Sequence, residues 1–249
     1  MKLSRSHAVS GHIALLAFVL VAAAPLGRAA DECTPVNVAE YPDTIKLACI
    51  GDSITQGVGA GKHNYPALLA KMLGEKWQVT NLGVSGSTLL KKGDNPYFKL
   101  KQFQRALELK PDVVTIALGT NDSKPQNWAK KAEFAADYKE MIAELKKANP
   151  KVRIFCCLPV PAFPANFGIN DPTIKNEVLP LIRAVAKETG SSVVDLYAAL
   201  EGKGECVPDK VHPNGKGHDY MVAAIYKGLT GKEPPAIPSD EGKAEKKGK

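Results

Sequence analysis

Five apolar runs of strand length, each set off from the next by a longer segment of helical period, leave this chain few ways to fold. The runs fall at 45–50, 77–82, 113–118, 152–158 and 192–196. Helical segments are predicted between and after them, at 65–73, 97–107, 131–148, 176–189 and 216–229. In the third of these, Phe134, Tyr138, Met141, Ile142 and Leu145 recur at three- and four-residue steps and make one apolar face. Asn64 followed by Pro66 suits the start of the first, as a cap and a first-turn proline. Strands alternating with helices imply a single parallel sheet covered on both faces, a three-layer α/β/α sandwich. Ligands of such sheets sit beyond the carboxyl ends of the strands, so the loops leaving those ends carry the chemistry.

The two ends of the chain read differently from its middle. Residues 1–30 begin with Lys2 and Arg5, continue through a twelve-residue apolar run at 13–24, and end in small residues at Ala29 and Ala30. That is the layout of a secretory signal peptide, too short in its apolar part to span a bilayer. The expected organisation is a leader at 1–30, one domain at 31–230 and a disordered Lys-, Glu- and Pro-rich tail at 231–249, with the product secreted or periplasmic. Loss of Lys2, Arg5 and Arg28 lowers the formal net charge from +7 to +4. The remaining bases are scattered without interleaved aromatics, so no nucleic-acid partner is expected, and no stable membrane insertion after the leader is removed. All five cysteines lie beyond the leader. Cys49, Cys156 and Cys157 lie within apolar runs and are expected in the core; Cys33 and Cys206 lie in loop-like sequence and are the pair offered for a disulfide. None of the spacings suggests a zinc site.

Ser53 leaves the first strand in Gly51-Asp52-Ser53-Ile54-Thr55-Gln56-Gly57, where a tight turn can present a hydroxyl rigidly. A serine at its ordinary pKa needs a base and an oxyanion site. Of the three histidines outside the leader (His63, His212 and His218), His212 follows an aspartate, Asp209, at a spacing that lets the carboxylate orient the ring. His63 reads as a surface loop residue and His218 as part of the last helix. Candidate oxyanion donors are the Ser53 N–H, the Gly83 N–H at the end of the second strand, and the Asn121 side chain after the third.

Four ordered blocks, GDSITQG at 51–57, NLGVSG at 81–86, GTND at 119–122 and DKVHPN at 209–214, resemble the SGNH hydrolase superfamily of GDSL-type esterases. The match runs over about 45–229. The resemblance implies a flavodoxin-like fold with a five-stranded parallel sheet, no metal or organic cofactor, Ser53 as nucleophile, His212 as base, Asp209 as its partner, and Gly83 and Asn121 as oxyanion donors. Finer likeness, in 119–128 and 168–171, is to secreted bacterial carbohydrate or sialate O-acetylesterases.

The expected function is therefore hydrolysis of a small-molecule or glycan ester, with acetyl as the acyl group. Asp52, Trp128 and Tyr97 are the substrate-binding candidates; Tyr97 and Trp128, with Phe163 and Phe167, could offer aromatic faces to a sugar, though such residues equally fill cores. An apolar loop near 158–167 keeps a lysophospholipase or thioesterase in view. A non-catalytic carbohydrate-binding protein on the same fold is the reading from another class.

Overall fold

Side-chain parity along the first strand sorts the core into two halves. In a computed structural model that describes residues 33–164 and 166–238, β1 (Ile45–Gly51) sends Ile45, Leu47 and Cys49 to one face and Ala48 and Ile50 to the other. It lies inside a sheet with β2 (Trp77–Gly83), β3 (Val113–Ala117), β4 (Arg153–Cys157) and β5 (Ser192–Val194), in the order β2-β1-β3-β4-β5. All four pairings are parallel. Near-continuous apolar sequence in β1, β3 and β4 follows from burial on both faces, whereas β2 is an edge strand and alternates.

Helices cover both faces. α1 (Ser53–Gln56) is a single turn leaving β1, and α2 (Tyr65–Leu73) begins as predicted, with Asn64 Oδ1 accepting from the Ala67 N–H. α3 (Lys101–Leu109), α4 (Pro125–Trp128) and α5 (Phe134–Ala148) follow. Next comes α6 (Asp171–Thr173), running through a π segment (Ile174–Val178) into α7 (Leu179–Thr189). α8 (Leu196–Leu200) and α9 (Gly215–Thr230) are the last helices among the described residues. Residues of α3, α5 and α7 fill one core, with Phe103, Phe134, Tyr138 and Ile182 buried in it. Tyr65, Leu68, Met221 and Ile225, from α2 and α9, fill the other. The predicted three-layer α/β fold is the one observed.

Boundaries shift where local chemistry overrides the pattern. The helix predicted at 176–189 starts at Asp171, because Asn170 caps it through the Thr173 N–H. Pro180 has no N–H to give, and the wide π turn just before it takes up the break. The last strand stops at Val194, where Asp195 turns to cap α8. Cys49, Cys156 and Cys157 are buried in the core as expected. The Cys33–Cys206 pairing is not: both thiols are free. The Cys33 thiol donates to the Gly228 carbonyl near the end of α9, while the Cys206 carbonyl accepts from the N–H of Asn214, the residue that caps its start. Those sites are about 20 Å apart along one helix, and a disulfide holds Cα atoms within roughly 7 Å. The expected leader lies outside the described residues; of the tail, residues 231–238 are described, and Ile237 packs against the α2–α9 core. Among the described residues no helix is long and apolar enough to cross a membrane.

Candidate active site

The end of β1 sets the geometry of everything around it. Asp52 Oδ1 accepts from the Ile54 N–H at 3.0 Å and so caps α1, which makes Ser53 the first residue of a helical turn. Gly57 closes that turn with its N–H on the Ser53 carbonyl at 3.0 Å. Ser53 is thereby fixed at the sheet edge, only 6 % exposed, rather than standing free on a loop tip.

His212 reaches this serine from the other end of the chain. Its Nε2 lies 2.9 Å from Ser53 Oγ, and its Nδ1 lies 2.6 Å from Asp209 Oδ2. Asp209 Oδ1 also accepts the N–H groups of Val211 (3.0 Å) and His212 (2.7 Å), so one carboxylate organises the whole turn. Burial pushes the Asp209 pKa up, but the His212 backbone and ring and the Val211 N–H outweigh it and hold the carboxyl below its usual value. A carboxylate facing Nδ1 assigns the proton to that nitrogen, which leaves the Nε2 lone pair for the serine hydroxyl. Gly59, in the left-handed region at φ 87, lets the loop after α1 pass close to His212: a Cβ there would come 2.8 Å from the Pro213 carbonyl and 3.2 Å from His212 Cβ.

The second and third loops are tied to the first by side chains. Asn121 Nδ2 donates to the Ser87 carbonyl at 3.1 Å and lies 3.5 Å from Asp52 Oδ2. Asp122 accepts the Leu89 N–H on one oxygen (3.0 Å) and the Leu90 N–H on the other (2.8 Å). Gln56 Oε1 accepts from the Ser85 N–H at 2.7 Å, and Asn81 Nδ2 donates to the Thr55 carbonyl at 2.8 Å. Gln56, Asn81 and Asp122 all lie within the sequence blocks, yet their roles as ties depend on loop paths that no spacing reveals.

Several predicted site residues sit elsewhere than expected. Gly83 gives its N–H to Asn81 Oδ1 at 2.9 Å and presses against the backbone of Thr55 and Gln56, so it does not offer that N–H to a substrate. Three residues on, Gly86 has a left-handed backbone at φ 77, in a loop whose Ser87 hydroxyl donates to the Gly51 carbonyl at 3.3 Å. Tyr97 is fully buried with its hydroxyl on the Leu82 carbonyl, and Trp128 packs edge-on against Phe134; both are core residues, not a substrate platform. Asp52 is likewise buried, engaged in capping rather than open to substrate. Burial raises its pKa to about 6, against the pull of the Ile54 N–H, His212 and Thr120. Volume does not mark the site either: a cavity of about 410 Å³ lies by Trp77, at the start of β2 and away from the strand ends that carry Ser53 and Asn121. Among the described residues no three His, Cys, Asp or Glu side chains group as a cation site.

The other two histidines are structural. His63 Nε2 lies 2.7 Å from Asp219 Oδ1, joining the loop after α1 to α9. His218 is buried, stacks on Tyr65, and accepts the Tyr65 N–H on Nδ1 at 3.1 Å. Burial, with His63 nearby, lowers its pKa from 6.5 to about 4. A depressed folded-state value means that stability held above pH 6.5 is lost as pH falls through 4. Over that interval the lead of the native protein over His218→Asn is expected to shrink by about 3 kcal/mol. Urea unfolding of the two proteins at pH 7.5 and 4 checks it, and a lead that is constant or grows in acid refutes it.

Comparison with known proteins follows the same blocks. Residues 49–220 match the model of the GDSL-like lipase/acylhydrolase family. An acetylxylan esterase from Xylanibacter ruminicola is 42% identical over 204 residues, covering 74% of this chain and 42% of that protein. The chain therefore spans less than half the length of the curated relatives it matches. Among solved structures, the aryl esterase of M. smegmatis superposes with a TM-score of 0.61 at 19% identity, over 74% of this chain and 97% of that one. The acetyl xylan esterase AlAXEase gives 0.60 at 22%, over 74% and 100%. At those identities the structural likeness establishes the shared fold.

Proposed function

The chain belongs to the GDSL-like lipase/acylhydrolase family, and on that premise we propose that it is an exported serine esterase releasing acetyl groups from carbohydrate. The observation that carries this reading is the unbroken chain of contacts Ser53–His212–Asp209, at 2.9 and 2.6 Å. Identity of 42% to an acetylxylan esterase supports the acetyl and carbohydrate parts, and the basic, apolar and small-residue order of residues 1–30 supports export.

In this mechanism Ser53 Oγ bonds to the ester carbonyl carbon while its proton passes to His212 Nε2. The carbonyl oxygen, now an anion, is met by the Ser53 N–H, the Gly86 N–H and one N–H of Asn121 Nδ2, which keeps its other on the Ser87 carbonyl and gives up only the long 3.5 Å contact to Asp52. Gly86 replaces Gly83 in that role, since the Gly83 N–H is already taken. The bond to the alcohol then breaks, and His212 returns its proton to the leaving oxygen. Asp209 holds the imidazolium throughout. Water, giving its proton to His212, attacks the acetyl-serine; the bond to Ser53 Oγ breaks, His212 returns the proton to that oxygen, and acetate leaves.

An acyl-length series with acetate release from acetylated xylan tests the proposal. Acetyl esters are expected to turn over at least tenfold faster than octanoyl esters. A maximum at eight or more carbons would replace it with the long-chain reading.

A further inference from the structure

Among the described large hydrophobic side chains Phe167 is the most exposed, at 59 %. Its backbone is left-handed, at φ 54, which a bulky residue adopts only where its surroundings hold it. Here they do. Asn166 Oδ1 accepts the Phe167 N–H at 2.8 Å, and Asn166 Nδ2 donates to the Asp209 carbonyl at 2.9 Å. The Phe163 N–H donates to the Lys210 carbonyl at 2.8 Å, and the buried Ile169 donates its N–H to the Asn166 carbonyl at 2.9 Å. The loop is thus fastened to residues 209 and 210, just before the base. Its ring centroid lies 5.7 Å from that of His212, tilted by 56°. A phenylalanine kept in solvent, on a backbone that glycine would adopt more easily, fills no core.

Position decides which half of an ester this ring meets. The acyl oxygen faces Gly86 and Asn121, whereas the alcohol oxygen must face His212 Nε2, from which it takes its proton. A ring beside His212 therefore borders the alcohol. A pyranose shows a face of C–H groups with slight positive charge, complementary to the electron-rich face of an aromatic ring. We propose that Phe167 is the binding platform for the sugar ring that carries the ester, the side chain by which this site tells a carbohydrate ester from a simple alkyl ester. The proposal rests on the esterase reading above and adds the residue that reads the alcohol.

The test compares wild type, Phe167→Ala and Phe167→Tyr on an acetylated xylo-oligosaccharide and on ethyl acetate, with released acetate measured. Nitrophenyl acetate is unsuitable because its own ring would stack on Phe167. Alanine is expected to lower kcat/KM on the sugar ester about tenfold, through KM, and to leave ethyl acetate within about twofold. Tyrosine keeps the aromatic face and should keep the sugar activity. Equal loss on both esters would make the ring a support for His212, and no loss on either would make it idle; both overturn the proposal. If the wild type hydrolyses ethyl acetate but no acetylated sugar, the carbohydrate reading itself has failed and the platform falls with it. That outcome is read from the wild type alone, so the two failures are distinguishable.

Discussion

Replacing Ser53 by alanine is expected to cut ester hydrolysis by a factor on the order of 10⁴ to 10⁶ while leaving the fold intact. The size follows from how the contacts depend on one another. Without Oγ, His212 has no proton to accept and Asp209 has no imidazolium to stabilise, so one deletion removes the work of all three. The fold should survive because α1 is capped by Asp52, not by Ser53, and the serine side chain's hydrogen bond is to His212. Circular dichroism and the melting temperature should match wild type. Residual activity above about 1% in a folded variant would take the nucleophile away from Ser53. The variant would then be compared with the native protein for labelling by a serine-reactive phosphonate, which should mark the native chain alone.

The meeting of Ser53 and His212 was legible in the sequence because their placement rests on local facts. A serine one residue past a strand end must lie at the sheet edge, and an aspartate three residues before a histidine can turn back onto it. Fold class was legible for a similar reason: apolar runs in β1, β3 and β4 are continuous only where both faces are covered. What stayed hidden depends on which side of an element a residue faces after packing. Tyr97 and Trp128 are aromatic whether they meet a sugar or fill a core, and only the packed chain shows them buried. Gly83 sits at a strand end, the expected place for an oxyanion donor, but the fold of its loop gives its N–H to Asn81. Cys33 and Cys206 shared a loop-like context, which says nothing of their places at opposite ends of α9.

Asp122→Asn is expected to be nearly as damaging as removal of the side chain, although the two residues have the same shape. Asp122 is fully buried, and each carboxyl oxygen accepts a different backbone N–H, from Leu89 and from Leu90. An amide has one oxygen, so its NH₂ must face one of those N–H groups, donor against donor. Two buried N–H groups disturbed at about 1–3 kcal/mol each put the loss near 4 kcal/mol, roughly 8–16 °C in Tm for a domain of this size. Activity should fall too, since these bonds hold the loop that carries Gly86 and brings Ser87 against Gly51 and Asn121. Burial raises the Asp122 pKa to about 7, with the Asp52 charge adding to it and the Leu90 and Leu89 N–H groups opposing. A carboxyl whose folded value exceeds its unfolded value contributes stability below the unfolded value and loses it as pH rises through 7. The gap between native and variant should therefore be wider at pH 5 than at pH 8. His218 titrates in both proteins and cancels from the difference. Thermal melts of the pair at those two pH values decide the matter: an Asn variant as stable as wild type, or a gap that widens with rising pH, would remove Asp122 from its place as the tie between the second and third loops.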